Sequence, residues 1–313
     1  MTDHILVTGA YGFIGKKVAN RLYSSGGCNS VIGLVRKIVA EEKNETLVPI
    51  IACDLTDYDR LIQVLRQYKI SVVIHCATRR LQKDGFSQQA NVYHENMSSM
   101  MNICNASINS DVKRIIHFSS YGVFDIKEFQ KNPLLETDTP SPGDFYGLIK
   151  RQEENIIEYY LSQKKSLRAV IIRLPGVFGP GKRTGVVYSF IRNALRNESI
   201  QINEPDSLFR MVYIEDVLDS LMKVIGKPIF RESATVFHIA GKSVFSLLKL
   251  AEEIKEITGS SAEIDLIESD YSQCLILDNQ KMEKILKVSP LTLRDSLGKY
   301  IKIVKRHMKS FNI

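Results

Sequence analysis

A tyrosine and a lysine four residues apart are the side chains of this sequence best suited to transfer a proton. Tyr146 and Lys150 belong to the segment Phe-Tyr-Gly-Leu-Ile-Lys, and a helix would place both on one face, one turn apart. A nearby ammonium lowers the pKa of a phenol, so Tyr146 would exchange a proton with an alcohol or a ketone near neutral pH. The same spacing also arises by chance on surface helices, so the pair alone is weak evidence.

A serine at the end of a predicted strand supplies a second polar group. Residues 113–118 have the apolar character of a buried strand, which ends in Ser119 and Ser120. Open α/β sheets bind ligands at the carboxyl ends of their strands, where Ser120 would hydrogen-bond the same substrate oxygen as Tyr146. A serine at a strand end more often caps a turn, so the prediction depends on the two groups occurring together.

The N-terminal segment predicts a turn that binds a dinucleotide. An apolar strand at residues 5–7 is followed by Gly9, Gly12 and Gly15 at three-residue spacing, and then by a helical pattern. Gly9 would let the chain reverse, Gly12 would let the backbone approach a pyrophosphate, and Gly15 would let the helix pack closely on the strand. The free N–H groups of the helix N-terminus would face the phosphates.

Strands and helices alternate along the first half of the chain. Strands are predicted at residues 5–7, 30–35, 48–53, 71–76, 113–118 and 167–174, with long helices at 87–107 and 146–161. This alternation predicts the α/β class: a Rossmann-type doubly wound parallel sheet with helices on both faces. We expect a dinucleotide-binding domain over residues 1–175, rejoined by 210–240. Most of residues 176–313 are expected to form a smaller C-terminal α/β substrate-binding lobe.

Composition limits the classes of partner. The 313 residues are 44% hydrophobic and carry a net charge of +7, which suits a soluble protein with an anionic ligand. The basic C-terminal residues recur with helical spacing and without interleaved aromatic residues, so we expect no nucleic-acid partner. The five cysteines show no metal spacing, and His75 and His238 fit core positions, so no metal site is predicted. Without a signal peptide or an apolar run of about 18 residues, the expected location is cytoplasmic, with no membrane partner.

The glycine turn, the strand-end serine and the Tyr-x-x-x-Lys pair occur in an order that resembles the extended short-chain dehydrogenase/reductase family. This is the group of NAD-dependent epimerases, dehydratases and reductases that modify nucleotide sugars. The resemblance covers nearly the whole chain. Its motifs are the glycine turn at 8–15, Asp54-Leu55, the segment 75–78, Asn96, the segment 119–124, the segment 174–181 and the segment 210–217.

The resemblance implies a role for each matching residue. It implies that Ser120, Tyr146 and Lys150 are catalytic. The implied cofactor ligands are Gly9, Tyr11, Gly12, Phe13, Ile14, Gly15, Asp54, Leu55, Cys76, Ala77, Thr78, Asn96, Ser119, Tyr146, Lys150, Leu174, Pro175 and Val177. The implied substrate ligands are Ser120, Tyr121, Tyr146 and Arg210, of which Arg210 would hold the diphosphate; Lys182 is a further candidate. A homodimer formed through the helices at 87–107 and 146–161 is expected by the same resemblance.

Two departures from the family pattern narrow the activity. Arg36 ends the second strand, at the position where a carboxylate would accept the adenosine ribose hydroxyls. We expect Arg36 to bind a 2′-phosphate instead, so the expected cofactor is NADP(H), with NAD(H) as the alternative. Tyr121 and Gly122 stand where dehydratases of the family carry an Asp-Glu pair, and neither is an acid or base for that reaction. Dehydration is therefore disfavoured, and decarboxylation is disfavoured for the same reason.

The sequence thus predicts an NADPH-dependent reductase of a 4-keto-6-deoxy nucleotide sugar. Hydride would pass from the nicotinamide to the ketone carbon while Tyr146 gives a proton to the oxygen. Two alternatives remain open. One is a nucleotide-sugar 4-epimerase of the UDP-hexose type with tightly bound NAD, and the other is a relative that binds the dinucleotide without catalysis.

Overall fold

The protein is described here by a computed structural model that covers residues 3–26, 30–81, 86–125, 133–227, 232–267 and 273–310. The chain divides into two compact units. Unit 1 contains Met1–Asp125, Thr139–Arg173 and Met222–Phe237, and unit 2 contains Ile126–Asp138, Leu174–Leu221 and His238–Ile313. Of the 210–240 segment that the sequence assigns to the dinucleotide-binding domain, residues 222–237 lie in unit 1.

Helices and strands alternate through the first 174 residues. The strands are β1 (His4–Thr8), β2 (Ser30–Val35), β3 (Ile50–Ala52), β4 (Val72–His75), β5 (Arg114–Ser120), β6 (Arg168–Leu174), β7 (Val177–Phe178), β8 (Ile200–Ile202), β9 (Leu208–Phe209), β10 (Val212–Tyr213), β11 (Ala234–His238), β12 (Phe245–Ser246), β13 (Ile264–Leu266) and β14 (Cys274–Leu275). The helices are α1 (Phe13–Ser24), α2 (Ala40–Asn44), α3 (Tyr58–Gln67), α4 (Gln89–Ile108), α5 (Phe145–Gln163), α6 (Val186–Arg196), α7 (Ile214–Gly226), α8 (Leu247–Thr258) and α9 (Leu293–Ser310).

Seven strands form the main sheet, in the order β11-β6-β5-β4-β1-β2-β3. β1 pairs in parallel with both β2 and β4, and the pairs β2–β3 and β4–β5 are also parallel. The strand order therefore reverses direction between β1 and β4, which is the point where a doubly wound sheet opens a crevice for a ligand. The predicted Rossmann-type fold class is confirmed.

The strands at the centre of the sheet are buried because helices cover both faces. β4 and β5 are buried along their whole length, which is why their sequences are continuous apolar runs rather than alternating patterns. On one face, strand residues such as Leu6, Val73 and Ile115 pack with helix residues such as Leu61 and Met100. This packing fixes α3, α4 and α5 against the sheet and so fixes the carboxyl ends of β1, β4 and β5.

Unit 2 combines helices with very short strands. β7 pairs in parallel with β10, β8 pairs in parallel with β13, and β9 lies between β12 and β14. The sequence predicts two short strand-like pieces, near residues 199–202 and 210–214. The structure has β8 in the first range and the two-residue β10 in the second, and α7 begins at Ile214. The helix predicted at 279–286 is a short π-helical segment, Met282–Leu286.

The described residues also bear on membrane and metal sites. None of their helices is both long and apolar enough to cross a membrane. They include no group of three His, Cys, Asp or Glu side chains that could hold a metal ion. His75 and His238 are buried, with 2% and 0% of their surface exposed.

Candidate active site

The glycine turn lies between β1 and α1, at the reversal point of the sheet. Gly9 has a φ of +67°, and a Cβ there would lie 2.8 Å from the backbone of Ala77 at the end of β4. Gly12 donates its N–H to the Gly9 carbonyl over 2.8 Å and is the N-cap of α1. A Cβ at Gly15 would lie 2.2 Å from the Gly9 oxygen, so α1 approaches β1 to a distance that only glycine allows.

A cavity of about 380 Å³ opens next to this turn, within unit 1. Nine of the predicted cofactor ligands line it: Gly9, Tyr11, Gly12, Arg36, Asp54, Leu55, Ala77, Thr78 and Asn96. Phe13, Ile14, Gly15, Cys76 and Ser119 belong to the same unit but are not part of this lining. Leu174, Pro175 and Val177 belong to unit 2.

The residues of the cavity suit a dinucleotide. Gly12 lines the cavity and is the N-cap of α1, and the free N–H groups of a helix N-terminus suit a phosphate. The hydroxyl oxygen of Tyr11 is buried without a hydrogen-bond partner among the described residues. Such an oxygen needs a polar partner, and a bound cofactor would supply one.

Arg36 lies in this cavity, but its guanidinium is already paired. Arg36 Nη2 donates to Glu95 Oε2 over 3.1 Å, and its Nε lies 3.6 Å from Asp54 Oδ2. Glu95 also binds Arg79, so the carboxylate of Glu95 bridges two arginines. Although partial burial raises the pKa of Asp54, hydrogen bonds from Thr56 and the charge of Arg36 lower it below its usual value. A 2′-phosphate at this arginine would compete with the two carboxylates for the guanidinium.

Asn96, another predicted ligand, has a structural role in the same loop. Its Oδ1 accepts the backbone N–H of Arg79 over 2.9 Å, and its amide nitrogen donates to the carbonyls of Arg79 and Val92. Asn96 therefore holds the loop that follows β4 against α4. The sequence analysis selected neither Glu95 nor Arg79. Their only indication in the sequence is position, since Glu95 precedes Asn96 and Arg79 follows the end of β4.

The first turn of α5 brings Tyr146 next to the serine at the end of β5. Asp144 caps the helix by accepting the N–H of Gly147 over 2.6 Å. A Cβ at Gly147 would lie 1.8 Å from the Gly122 oxygen, so α5 begins in direct contact with the turn that follows Ser120. Ser120 Oγ accepts the Gly122 N–H over 3.1 Å, which leaves its own proton for another acceptor.

Lys150 lies one turn further along α5 and is 3% exposed. Its ammonium donates to the Phe118 carbonyl over 3.2 Å and to Glu153 Oε2 over 2.8 Å, and it lies 6.0 Å from the centre of the Tyr146 ring. Although burial lowers the pKa of Lys150, Glu153 and Tyr146 raise it above its usual value. Lys150 therefore contacts the carboxyl end of β5, where Ser120 lies, and the start of α5 with Tyr146 packs against the turn after Ser120.

A second buried carboxylate anchors α5 to the sheet. Glu154 accepts two hydrogen bonds from Arg173 on β6, of 3.0 and 2.8 Å, and a third from the Ser119 hydroxyl over 2.6 Å. The predicted cofactor ligand Ser119 therefore uses its hydroxyl to position α5. Sequence reasoning missed this pair, although Glu154 lies one turn after Lys150 on the buried face of the helix.

An arginine that the sequence analysis did not select lies over the tyrosine. The Arg80 guanidinium is 4.7 Å from the centre of the Tyr146 ring, and its Nη2 lies 3.4 Å from the phenolic oxygen. Tyr121 lies close by, and burial together with Asp144 and Tyr146 raises its pKa. The phenol therefore has two cations near it, Lys150 and Arg80.

The predicted substrate ligands of unit 2 make contacts within that unit. Arg210 Nη1 donates to the Leu277 carbonyl over 3.0 Å and lies 3.3 Å from Asn279 Oδ1. Lys182 donates to the Val177 carbonyl over 2.7 Å. The assignment of Arg210 and Lys182 to a diphosphate stays a prediction.

Comparison with known proteins identifies the family. The sequence profile of the NAD dependent epimerase/dehydratase family matches residues 5–240. A UDP-glucose 4-epimerase of Vibrio cholerae is 30% identical over 257 residues, which cover 81% of this chain and 75% of the relative. The structure of a UDP-glucose 4-epimerase from Thermotoga maritima with UDP-glucose matches with a TM-score of 0.84 and 24% identity, over 97% of this chain and 99% of that one.

A second solved structure resembles the chain along its whole length. It is a UDP-glucuronic acid 4-epimerase from Bacillus cereus in complex with UDP-glucuronic acid and NAD, with a TM-score of 0.82, 22% identity and coverage of 97% of this chain and 99% of that one. At that level of identity the likeness shows the fold, and the profile match shows the family. The chain belongs to the NAD-dependent epimerase/dehydratase family and is an enzyme of the extended short-chain dehydrogenase/reductase type.

Proposed function

We propose that the protein is a nucleotide-sugar 4-epimerase that works with bound NAD. The observation that carries this proposal is the pairing of Arg36 with Glu95 and Asp54. Because both carboxylates already pair with the Arg36 guanidinium, Arg36 is a weaker reason to expect NADP(H) than the sequence alone suggests. The relatives named above support the same choice, since they act on UDP-sugars and one of their structures holds NAD.

The chemistry requires a group that removes the proton of the sugar 4-hydroxyl and later returns one. Tyr146 is that group in our proposal, because its oxygen lies at the carboxyl end of β5 with Arg80 over its ring and Lys150 behind it. Arg80 Nη2 lies 3.4 Å from the phenolic oxygen, so a cation stands beside the atom that takes the proton. Ser120 donates its free proton to the sugar oxygen and holds it at Tyr146 while charge develops.

A bound nicotinamide would accept a hydride from the sugar carbon and return it to the opposite face. The residues of unit 1 that would hold the dinucleotide are the backbone of the glycine turn, Tyr11, Asp54 and Leu55. Arg210 and Lys182 are proposed to bind the diphosphate of the substrate. The absence of an acidic pair directly after Ser120, where Tyr121 and Gly122 stand, argues against a dehydratase.

A product analysis tests this proposal. The protein is incubated with UDP-glucose, UDP-N-acetylglucosamine or UDP-glucuronic acid and NAD, and the coupling constants at the sugar C4 are followed by proton NMR. The expected result is inversion at C4 with no net change in nicotinamide absorbance. Stable absorbance and unchanged C4 stereochemistry across UDP-, dTDP- and GDP-linked sugars would contradict the proposal.

The reductase predicted from the sequence stays the second candidate. Arg36 favours it, because the guanidinium does line the cofactor cavity and would bind a 2′-phosphate if Glu95 moved away. Its signature is a loss of NADPH absorbance with a 4-keto-6-deoxy nucleotide sugar. A chain that consumes NADPH in this way and inverts no C4 centre is the reductase.

A further inference from the structure

Four buried titratable side chains form a cluster beneath the catalytic helix, which we call the lysine cluster: Lys150, Glu153, His117 and His75. Glu153 Oε2 lies 2.8 Å from Lys150 Nζ and 3.3 Å from His117 Nε2. The His117 ring stacks on His75, with centroids 5.6 Å apart and an interplanar angle of 20°. No member of the cluster is more than 3% exposed.

The far end of the cluster reaches the glycine turn. Thr8 Oγ1 accepts the backbone N–H groups of Cys76 and Ala77, and it lies 2.8 Å from His75 Nδ1. Because both acceptor positions of the hydroxyl are used, its proton goes to Nδ1, and His75 is therefore the neutral acceptor. The lysine cluster thus joins the catalytic lysine to the strand that carries the turn.

The groups that face Lys150 differ in charge. They are Tyr146 and Glu153 on its own helix, His117 on β5, His75 and Cys76 at the end of β4, and Arg80 in the loop after β4. Burial lowers the pKa of His75 to about 3 and also lowers that of His117, so both rings are neutral near pH 7. Burial raises the pKa of the Cys76 thiol, which is therefore neutral as well. Glu153 is the one carboxylate in this set of described residues.

An ammonium buried without a counter-charge loses its proton easily, because a low-dielectric surrounding disfavours the charged form. Burial likewise raises the pKa of Glu153, but Lys150 and His117 lower it to about 2, so the carboxylate is ionised throughout the physiological range. Each member of the pair therefore keeps the other charged. The two hydrogen bonds of Lys150, to Glu153 and to the Phe118 carbonyl, also fix the direction of its side chain.

We propose that Glu153 is a positioning residue for catalysis: its carboxylate keeps Lys150 charged and in place, and so sets the alkaline limit of activity. Glu153 acts through Lys150 and touches neither substrate nor cofactor. This inference rests on the proposed role of Tyr146 and Lys150 in proton transfer. Glu154, the next residue, is equally buried but pairs with Arg173 and Ser119, and so provides a matched control.

The first test needs no activity. Thermal unfolding of the wild type, E153Q and E154Q is measured between pH 7 and 10.5. We expect Lys150 of E153Q, buried without a counter-charge, to have a pKa below that of an unfolded lysine, so the native state of E153Q becomes relatively more stable as pH rises through that window. We expect the stability deficit of E153Q to be largest at pH 7 and to shrink towards pH 10.5. The deficit of E154Q stays constant, because Arg173 does not titrate.

The second test is the pH dependence of kcat/KM. We expect the alkaline limb of E153Q to move to lower pH by at least about one unit, so that at pH values above both limbs the variant is about tenfold less active than the wild type, each relative to its own maximum. E153D, which retains the charge but withdraws it by one methylene, shows an intermediate shift in both tests and serves if E153Q does not fold. A deficit independent of pH in E153Q or E153D, or an unmoved alkaline limb, overturns the proposal.

These outcomes separate the inference from the proposed function. A wild-type protein that turns over no nucleotide sugar contradicts the proposed function, whereas the unfolding series still tests the pairing of Lys150 and Glu153. An active enzyme whose E153Q variant keeps the wild-type pH profile contradicts the inference alone.

Discussion

Gly147, the residue after Tyr146, gives the sharpest structural prediction. An added Cβ at this position would lie 1.8 Å from the Gly122 oxygen and 3.2 Å from Asp144 Oδ1. Both of its neighbours matter for the site, because Gly122 donates to Ser120 and Asp144 caps α5. The substitution Gly147→Ala therefore forces α5 and the turn after Ser120 apart.

The magnitude follows from the geometry. A contact between a methyl carbon and a backbone oxygen requires about 3.0 Å or more, so one of the two elements must move by at least about 1 Å. Alanine gains at most about 1 kcal/mol over glycine in helix propensity, and overpacking costs about 1–3 kcal/mol. We expect a net loss of stability of about 1–2 kcal/mol. A displacement of about 1 Å at the reacting group lowers kcat/KM about 100-fold.

Gly298→Ala is the control. Gly298 lies inside α9, and nothing lies within 4 Å of the position of its added Cβ. This variant should gain up to about 1 kcal/mol in stability without loss of activity. Chemical denaturation measures stability, and the C4-inversion assay measures kcat/KM. A Gly147→Ala protein as active and as stable as the wild type would refute the close packing of α5 on the Ser120 turn.

Three further predictions concern the charged residues. Glu95→Gln removes the carboxylate that pairs with Arg36, so the affinity for NADP relative to NAD should rise about tenfold. Fluorescence titration of the nicotinamide measures both dissociation constants, and an unchanged ratio would contradict the pairing. Arg80→Ala removes the exposed cation over Tyr146, so kcat should fall about tenfold with the melting temperature unchanged; full activity would contradict the role of Arg80. Burial raises the pKa of Asp216 from 3.8 to about 6. Ionisation of this buried carboxyl therefore lowers the free energy of unfolding, by up to about 3 kcal/mol, as pH rises through that interval. Asp216→Asn should therefore unfold at a higher temperature than the wild type above pH 6 and lose this advantage below pH 4; a difference independent of pH would contradict it.

Local sequence patterns predicted the fold because each element of unit 1 carries its own signal. The glycine spacing located the turn between β1 and α1, and the apolar runs at 71–76 and 167–174 predicted β4 and β6 to within two residues at each end. Alternation of strands and helices then fixed the sheet class, because parallel strands need crossover helices. Unit 2 was harder, since strands of two or three residues such as β9 carry too few side chains for a pattern.

The candidate site was predictable only in part, for a related reason. Tyr146 and Lys150 are neighbours on one helix, so their proximity follows from spacing alone. The contacts of Glu154 with Arg173, of Glu153 with His117 and of Arg80 with Tyr146 join different elements. No local pattern indicates which strand end a helical carboxylate will face. Arg36 shows the same difficulty. Its partner Glu95 is 59 residues away in sequence, so the sequence around Arg36 does not reveal that a carboxylate already pairs with its guanidinium.

In the proposed mechanism, the phenol of Tyr146 accepts the proton of the sugar 4-hydroxyl and later returns one. The most direct measurement compares the rate of C4 inversion by Tyr146→Phe with that of the wild type, with NAD binding measured in parallel. We expect kcat to fall by about 10²–10⁴-fold in Tyr146→Phe with NAD still bound. A phenylalanine variant that inverts C4 within a few-fold of the wild-type rate would contradict it.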